Sequence, residues 1–280
     1  MRFILTFLIL ITSSSAYAGE HFITLASTTS TQNSGLYDYL LPIFTAKTGI
    51  EVRVISVGTG QAVKIAQNGD ADALLVHHRP SEDAFVAMGY GIERRDVMYN
   101  DFVIIGPKAD PAEVTKHLKA LDGLKAIYKA QTRFISRGDE SGTHKREMAL
   151  WDAADITPNG DWYQEIGAGM GAALNMAASV EAYTLSDRGT WLSFGNKANL
   201  DLLLSGDDNL FNPYGIILVN PKRHPHVKVD MARMFSSWLI SDDGQRSIGA
   251  FTLNNMQLFC PNANPGLSMK TICPTSVPQG

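Results

Sequence analysis

Short apolar runs alternate with segments of helical periodicity along the chain, and this alternation predicts an α/β fold. The apolar runs predict strands at residues 22–26, 51–57, 73–76, 102–107, 133–135, 182–185 and 214–219. The periodic segments predict helices at residues 36–44, 61–67, 118–128, 145–151, 167–177, 229–240 and 242–251. Gly49 and the pair Asn68-Gly69 end the first two of these helices, because both residue types tolerate the left-handed conformation of a helix end.

The first 18 residues have the three-part pattern of an export signal, so we exclude them from the fold. Met1-Arg2 is a short positive region, residues 3–11 are apolar, and Ala16-Tyr17-Ala18 is a small-residue cleavage site. No later apolar run reaches the roughly 18 residues of a membrane span. We expect a mature protein that begins near Gly19, is soluble in the periplasm, and carries no lipid anchor.

The chain has two cysteines, Cys260 and Cys273, both close to its carboxyl end. An exported protein meets an oxidising compartment, where a close, even pair of cysteines is typical of a disulfide. We therefore predict one Cys260–Cys273 bond that ties the tail to the body. The alternative is a metal site, but no pair of histidines lies near these cysteines.

Length and charge limit the classes of function. About 260 mature residues are enough for two modest domains. The formal net charge of the whole chain is −4, and loss of Arg2 with the signal makes it one unit more negative. No basic block is present, which argues against a nucleic-acid partner. An anion would have to be held by local donors.

Residues 136–144, Ser-Arg-Gly-Asp-Glu-Ser-Gly-Thr-His, form the strongest chemical motif in the sequence. They connect a predicted strand to a predicted helix, whose first backbone N–H groups have no partner within the helix. The helix dipole favours an anion at that end, and Arg137 adds a planar fork of donors. An ordinary turn with a Ser or Thr cap is the alternative interpretation of these residues.

Two further clusters follow predicted strands. Residues 27–31 are five consecutive Ser and Thr hydroxyls, more than a helix cap requires. Gly58-Thr59-Gly60 allows close backbone approach, but the sequence after it lacks the Gly-Lys-Ser/Thr ending of a P-loop. Both clusters could present hydroxyl and N–H donors to an anion.

Two other patterns are weaker indications of function. Gly167, Gly169 and Ala172 match a dinucleotide fingerprint by letter, but residues 162–166 before them make a poor strand. We therefore expect a glycine-opened helix that offers N–H groups. His77-His78 lacks a Glu-x-x-His context, so both histidines are predicted to be structural.

Taken in order, these segments resemble the tungstate-binding proteins of the TupA type. The likeness covers nearly all of the mature chain. The segments that carry it are residues 24–31, 35–36, 58–62, 71–77, 134–144 and 181–190.

The resemblance implies a periplasmic binding protein of type II, with two α/β lobes joined by two crossing strands and the ligand between them. The crossings are expected near residues 99–104 and 211–215. Lobe one would be residues 19–100 and 213–280, and lobe two residues 101–212. Such a protein hands tungstate to the membrane permease of an ABC importer, needs no cofactor, catalyses no reaction, and acts as a monomer without entering the membrane.

The resemblance also implies a ligand set, residue by residue. The implied first-lobe donors are Thr28, Thr29 and Thr59, and the implied second-lobe donors are Arg137, Ser141, Gly142 and Thr143. Similarity to molybdate-type receptors adds the backbone of Met170-Gly171 and the side chain of Tyr183.

Three alternatives stay open at this point. Molybdate has the same shape as tungstate, and phosphate receptors carry a motif similar to Arg137-x-Asp139-x-Ser141. An Asp139 that faces the ligand would favour phosphate, whereas an Asp139 that pairs with Arg137 would favour tungstate. An exported hydrolase would use Ser141 as nucleophile with a nearby histidine and acid.

Overall fold

A computed structural model describes residues 21–253 and 255–263 of the chain. The predicted signal peptide at residues 1–18 and the predicted disulfide partner Cys273 lie outside the described residues. Within the described part, no helix combines the length and the apolar character needed to cross a bilayer.

Strands and helices alternate through most of the described chain. The strands are β1 (Phe22–Thr28), β2 (Glu51–Val57), β3 (Ala73–Val76), β4 (Gly91–Pro107), β5 (Phe134–Ser136), β6 (Tyr163–Glu165), β7 (Thr184–Asp187), β8 (Leu200–Leu204), β9 (Phe211–Val219), β10 (Thr252–Leu253), β11 (Met256–Gln257) and β12 (Cys260–Pro261). The helices are α1 (Thr29–Asn33), α2 (Leu36–Thr48), α3 (Thr59–Asn68), α4 (Arg79–Ala87), α5 (Ala120–Ala130), α6 (Gly142–Ala153), α7 (Met170–Val180), α8 (Arg188–Ser193), α9 (Val229–Leu239) and α10 (Asp242–Ala250).

The long strand β4 links two sections of sheet. Its first part, to Asp101, pairs with β9 in the sheet ordered β12-β4-β9-β3-β1-β2. From Phe102 onward, β4 pairs instead with β7 and β8. The change of partners falls inside the predicted crossing segment 99–104, and β9 begins at the other predicted crossing. The fold is mixed α/β as predicted, while the residue limits of the two lobes stay a prediction.

Parallel pairing brings several loops to one edge of the main sheet. Strand β1 runs parallel to both β2 and β3. The carboxyl ends of parallel strands lie at the same edge, which is where open α/β sheets bind ligands. The residues that follow β1, β2 and β3 therefore share this edge.

Buried aromatic side chains anchor both ends of the 136–144 motif. Phe134 precedes it on β5, and Trp151 follows it on α6, with ring centroids 5.3 Å apart. Trp151 also packs at 5.7 Å on Trp162, next to β6. Phe134 and Trp151 are fully buried, so the loop between them starts and ends on rigid elements.

The sequence prediction missed several elements, among them α4, β8, β6 and the first part of β4. The sequence predicts a poor strand at residues 162–166, but β6 pairs in parallel with β5. Its side chains are mostly exposed, so an apolar pattern is missing although the backbone bonds form. Strand β4 begins at Gly91 rather than at residue 102. Its first part carries Arg94, which forms a 2.8 Å ion pair with the fully buried Glu82. This charged residue interrupts the apolar pattern by which a strand is recognised in the sequence.

Candidate functional site

A cavity of about 280 Å³ lies where the loops after β1, β2, β3 and β5 meet the starts of several helices. This volume suits a small ligand, since pockets for drug-sized molecules measure about 300–1,000 Å³. The residues that line it are Thr28, Thr29, Ser30, Asn33, Val57, Gly58, Thr59, His77, Arg137, Asp139, Ser141, Gly142, Thr143, Gly169, Met170, Gly171, Ala172 and Thr190. We call it the cleft pocket.

The amino ends of α3, α6 and α7 converge on the cleft pocket. The N-cap residues of α3 and α7 are Gly58 and Gly169, which have no side chain to cap these helices. Their first N–H groups are therefore open to a ligand, and their dipoles favour negative charge. Helix α6 is different, because the Ser141 hydroxyl accepts a hydrogen bond from the N–H of His144 at 3.2 Å.

Arg137 is held against the wall of the pocket by its own motif. One terminal nitrogen, Nη2, donates to Oδ2 of Asp139 at 2.5 Å, and Nη1 lies 3.5 Å from the hydroxyl of Thr143. Its Nε is buried without a hydrogen-bond partner among the described residues. This atom has almost no accessible surface, so it is enclosed by protein rather than open to the pocket.

The sequence leaves open whether Asp139 faces the ligand or pairs with Arg137, and its position allows both. It lines the cleft pocket, and it also pairs with Arg137. Its second oxygen, Oδ1, accepts the backbone N–H of Ser141 at 3.2 Å. Burial on its own would raise the pKa of Asp139, but the hydrogen bonds from Ser141 and the charge of Arg137 outweigh it and hold the pKa below its usual value. Asp139 is therefore a carboxylate that orients Arg137.

The five hydroxyls at residues 27–31 divide into two groups. Thr28, Thr29 and Ser30 line the pocket. Thr28 also caps α1, and its Oγ1 lies 2.7 Å from the hydroxyl of Thr31. Ser27 is buried below the pocket, where its hydroxyl donates to the carbonyl of Leu75 at 2.8 Å and contacts the hydroxyl of Tyr37.

His78 has the structural role that the sequence predicts for both histidines, whereas His77 also lines the cleft pocket, and its role there stays untested. The imidazole of His78 caps α4 by accepting the N–H of Ser81 at 3.3 Å. His77 lines the cleft pocket, with Nδ1 2.9 Å from Oδ1 of Asn212 and Nε2 3.3 Å from Oγ of Ser30. His77 directly follows β3, at the same sheet edge as the residues after β1 and β2, and this position was the available sequence signal.

Most of the implied ligand set comes together, and one member does not. Thr28, Thr29, Thr59, Arg137, Ser141, Gly142, Thr143, Met170 and Gly171 all line the pocket. Tyr183 lies outside it, because its hydroxyl donates to Oδ1 of Asp110 and accepts the N–H of Ala112, each at 2.9 Å. We therefore remove Tyr183 from the set. The anion contacts of the other residues stay a prediction.

The two walls of the cleft pocket touch at Gly142. A Cβ atom at this glycine would lie 3.0 Å from Oγ1 of Thr59 and 3.2 Å from Cε1 of His77. Contacts this short would force Thr59 or His77 to shift by a few tenths of an ångström before a Cβ could be accommodated. Gly142 thus lets the 136–144 motif close against the loops that follow β2 and β3.

The side chains that a serine hydrolase or a metal site would need are not arranged for those roles in the described part of the chain. Nδ1 of His144 accepts the N–H of Glu140 at 3.1 Å, and no hydrogen bond in the described part of the chain joins the Ser141 hydroxyl to an imidazole. A serine hydrolase would require such a bond. In residues 21–253 and 255–263, no three His, Cys, Asp or Glu side chains are grouped to hold a metal ion.

The chain resembles characterised anion receptors along most of its length. A family model described as a PBP superfamily domain matches residues 13–243. The tungstate-binding protein TupA of Peptoclostridium acidaminophilum is 49% identical over 245 residues, which are 86% of each chain.

Solved structures give the same result. A crystal structure of the tungstate ABC transporter from Geobacter sulfurreducens is 49% identical, with a TM-score of 0.78 over 83% of this chain and 99% of that chain. Tungstate binding protein TupA from Desulfovibrio alaskensis G20 is 46% identical, with a TM-score of 0.77 over 86% of this chain and 99% of that chain. The chain therefore belongs to the PBP superfamily and, within it, to the family of the TupA proteins.

Proposed function

We propose that this protein is the substrate-binding component of an ABC importer and that it binds tungstate in the cleft pocket. The observation that carries the proposal is the makeup of the pocket wall, where hydroxyls, open helix ends and the fixed guanidinium of Arg137 all point donors at one small cavity. The names of its relatives support tungstate as the ligand and a membrane permease as the partner.

The chemistry of tungstate suits such a wall. The ion is a compact tetrahedral dianion that carries no proton near neutral pH, so each of its oxygens accepts hydrogen bonds. Thr28, Thr29, Thr59 and Thr143 offer hydroxyls, and the first turns of α6 and α7 offer the N–H groups of Gly142 and Gly171. Each bond contributes about 0.5–3 kcal/mol net, with the charged donors at the upper end.

We infer that the ligand holds the two lobes together. Residues 19–100 with 213–280 would supply the hydroxyl cluster and Thr59, and residues 101–212 would supply Arg137 and the 136–144 motif. An ion that contacts both lobes favours the closed form over the open one, because only the closed form satisfies all of its oxygens. The permease would then recognise the closed form.

We further propose that the protein is exported to the periplasm. Residues 1–18 would be removed on export, and the mature monomer would act in the periplasm. Cys260, which is buried at the start of β12, would form its disulfide with Cys273 there.

Phosphate is the alternative ligand, because Asp139 lies on the wall of the cleft pocket. In phosphate receptors an aspartate accepts the proton of the bound ion. Here both Asp139 oxygens already accept bonds, from Arg137 and from the N–H of Ser141.

Calorimetric titration of the mature protein separates these anions. We expect one tungstate per chain, with molybdate as the nearest competitor, and at least about 100-fold weaker binding of phosphate and sulfate, a difference of about 2.7 kcal/mol. Phosphate binding as tight as tungstate binding would contradict the assignment.

A further inference from the structure

The cleft pocket has little net charge with which to hold a dianion. Arg137 and Asp139 are the lining residues with permanent charges, and they form an ion pair with each other. Their formal charges cancel, so the charged side chains of the lining supply no net positive charge to balance two negative charges in a closed pocket. His77 is the further titratable side chain in the lining.

Hydrogen bonds fix which nitrogen of His77 can change its protonation state. Nδ2 of Asn212 donates to Oδ1 of Asn100 at 2.6 Å, so the amide oxygen of Asn212 is the atom that faces His77. An amide oxygen only accepts hydrogen bonds, and Nδ1 of His77 must therefore carry a hydrogen. Nε2 is left to gain or lose the second proton, and it faces the hydroxyl of Ser30 at the pocket wall.

We propose that tungstate binding draws a proton from solvent onto Nε2 of His77, so that the imidazolium becomes the second cation of the site. This inference rests on the proposed function. The protonated ring keeps its bond from Nδ1 to Asn212, and Nε2–H donates either to the Ser30 hydroxyl or to the anion. Ser30 can turn its own hydrogen toward the ion in either case.

The groups around His77 determine its pKa before tungstate binds. The pKa of His77 is lowered to about 4, because burial and, to a smaller extent, the charge of Arg137 lower it by more than the bond to Asn212 raises it. The ring of Tyr214, on β9, stacks on the imidazole of His77 with ring centroids 4.7 Å apart. His78 directly follows His77 in the sequence. Burial also lowers the pKa of His78 to about 4, with smaller effects from the charges of Lys145, His77 and Arg146.

A bound dianion opposes the effect of Arg137 and raises the pKa of His77. Above a pH of about 4, His77 is neutral before tungstate binds. Proton uptake then occurs at pH values between that pKa and the higher pKa of the complex. Tungstate affinity should therefore rise as pH falls through this window, by up to about tenfold per pH unit for one proton.

The test is calorimetry of the mature protein with sodium tungstate, in buffers of different ionisation enthalpy, between about pH 6 and about pH 8, where histidine protonation is accessible. The slope of binding enthalpy against buffer enthalpy gives the number of protons taken up. We expect uptake that grows toward one proton at the lower pH. His77→Asn, which can keep the bond to Asn212, and His77→Gln should both show no uptake.

His78→Asn is the matched control. Asparagine is a good helix cap, so this variant should fold and keep the proton uptake of the wild-type protein. Tight binding by the wild-type protein without proton uptake would overturn the inference, as would uptake that persists in either His77 variant. Failure of the wild-type protein to bind tungstate at all would instead overturn the proposed function, so the two failures are distinguishable.

Discussion

Replacing Arg137 with alanine is expected to weaken tungstate binding at least about 100-fold, equivalent to about 2.7 kcal/mol. The guanidinium would contribute charge-assisted hydrogen bonds, worth about 1.5–3 kcal/mol each. Its loss also leaves Asp139 without a counter-charge, so the pocket wall becomes negative. Calorimetric titration with tungstate measures the change.

Three variants show whether the charge argument is correct. Arg137→Lys keeps the charge without the planar fork, so its affinity should be intermediate. Adding Asp139→Asn to Arg137→Ala removes the unpaired carboxylate and should restore part of the loss. Arg133→Ala removes an exposed arginine just before β5 and should bind as the wild-type protein does. An Arg137→Ala protein with unchanged affinity would remove Arg137 from the site.

Replacing Gly142 with valine is expected to abolish closure and to weaken tungstate binding by about 100-fold or more, because the donors of one wall no longer reach the ion. The Cβ would meet Oγ1 of Thr59 at 3.0 Å and Cε1 of His77 at 3.2 Å. Neither neighbour can move easily, since Thr59 begins α3 and His77 is stacked on Tyr214. The clash exists only when the walls meet, so thermal stability without ligand should change little.

Binding and closure are measured separately for this variant. Calorimetry gives its affinity, and small-angle scattering with and without tungstate reports compaction. Gly142→Ala should show a smaller effect in the same direction. Gly195→Ala is the control, since a Cβ at this exposed glycine would meet nothing within 4 Å. Tungstate-induced compaction of Gly142→Val equal to that of the wild-type protein would show that Gly142 does not limit closure.

Local patterns predicted the buried parts of the fold well. Strands β2 and β3 have the predicted limits, because their apolar and β-branched runs are bounded by polar turns. The first part of β4 could not be predicted this way. Its Arg94 is paired with Glu82 of α4, a residue outside the strand, and no local pattern shows that partner.

The site shows the same division between local and long-range information. Arg137 and Asp139 are two residues apart, so the sequence already offered their pairing as one of two arrangements. The role of His77 depends on Asn212, which lies 135 residues away. Tyr183 was carried over by similarity alone, and the partner of its hydroxyl, Asp110, lies 73 residues away, where no local pattern shows it.

The most direct test of the account is a crystal structure of the mature protein with tungstate, with diffraction recorded at the tungsten absorption edge. We expect one anomalous peak per chain inside the cleft pocket, in hydrogen-bond contact with Arg137 and with hydroxyls of the opposite wall such as Thr28 and Thr59. A tungsten peak at any other place, or a cleft pocket without one at saturating tungstate, would contradict it.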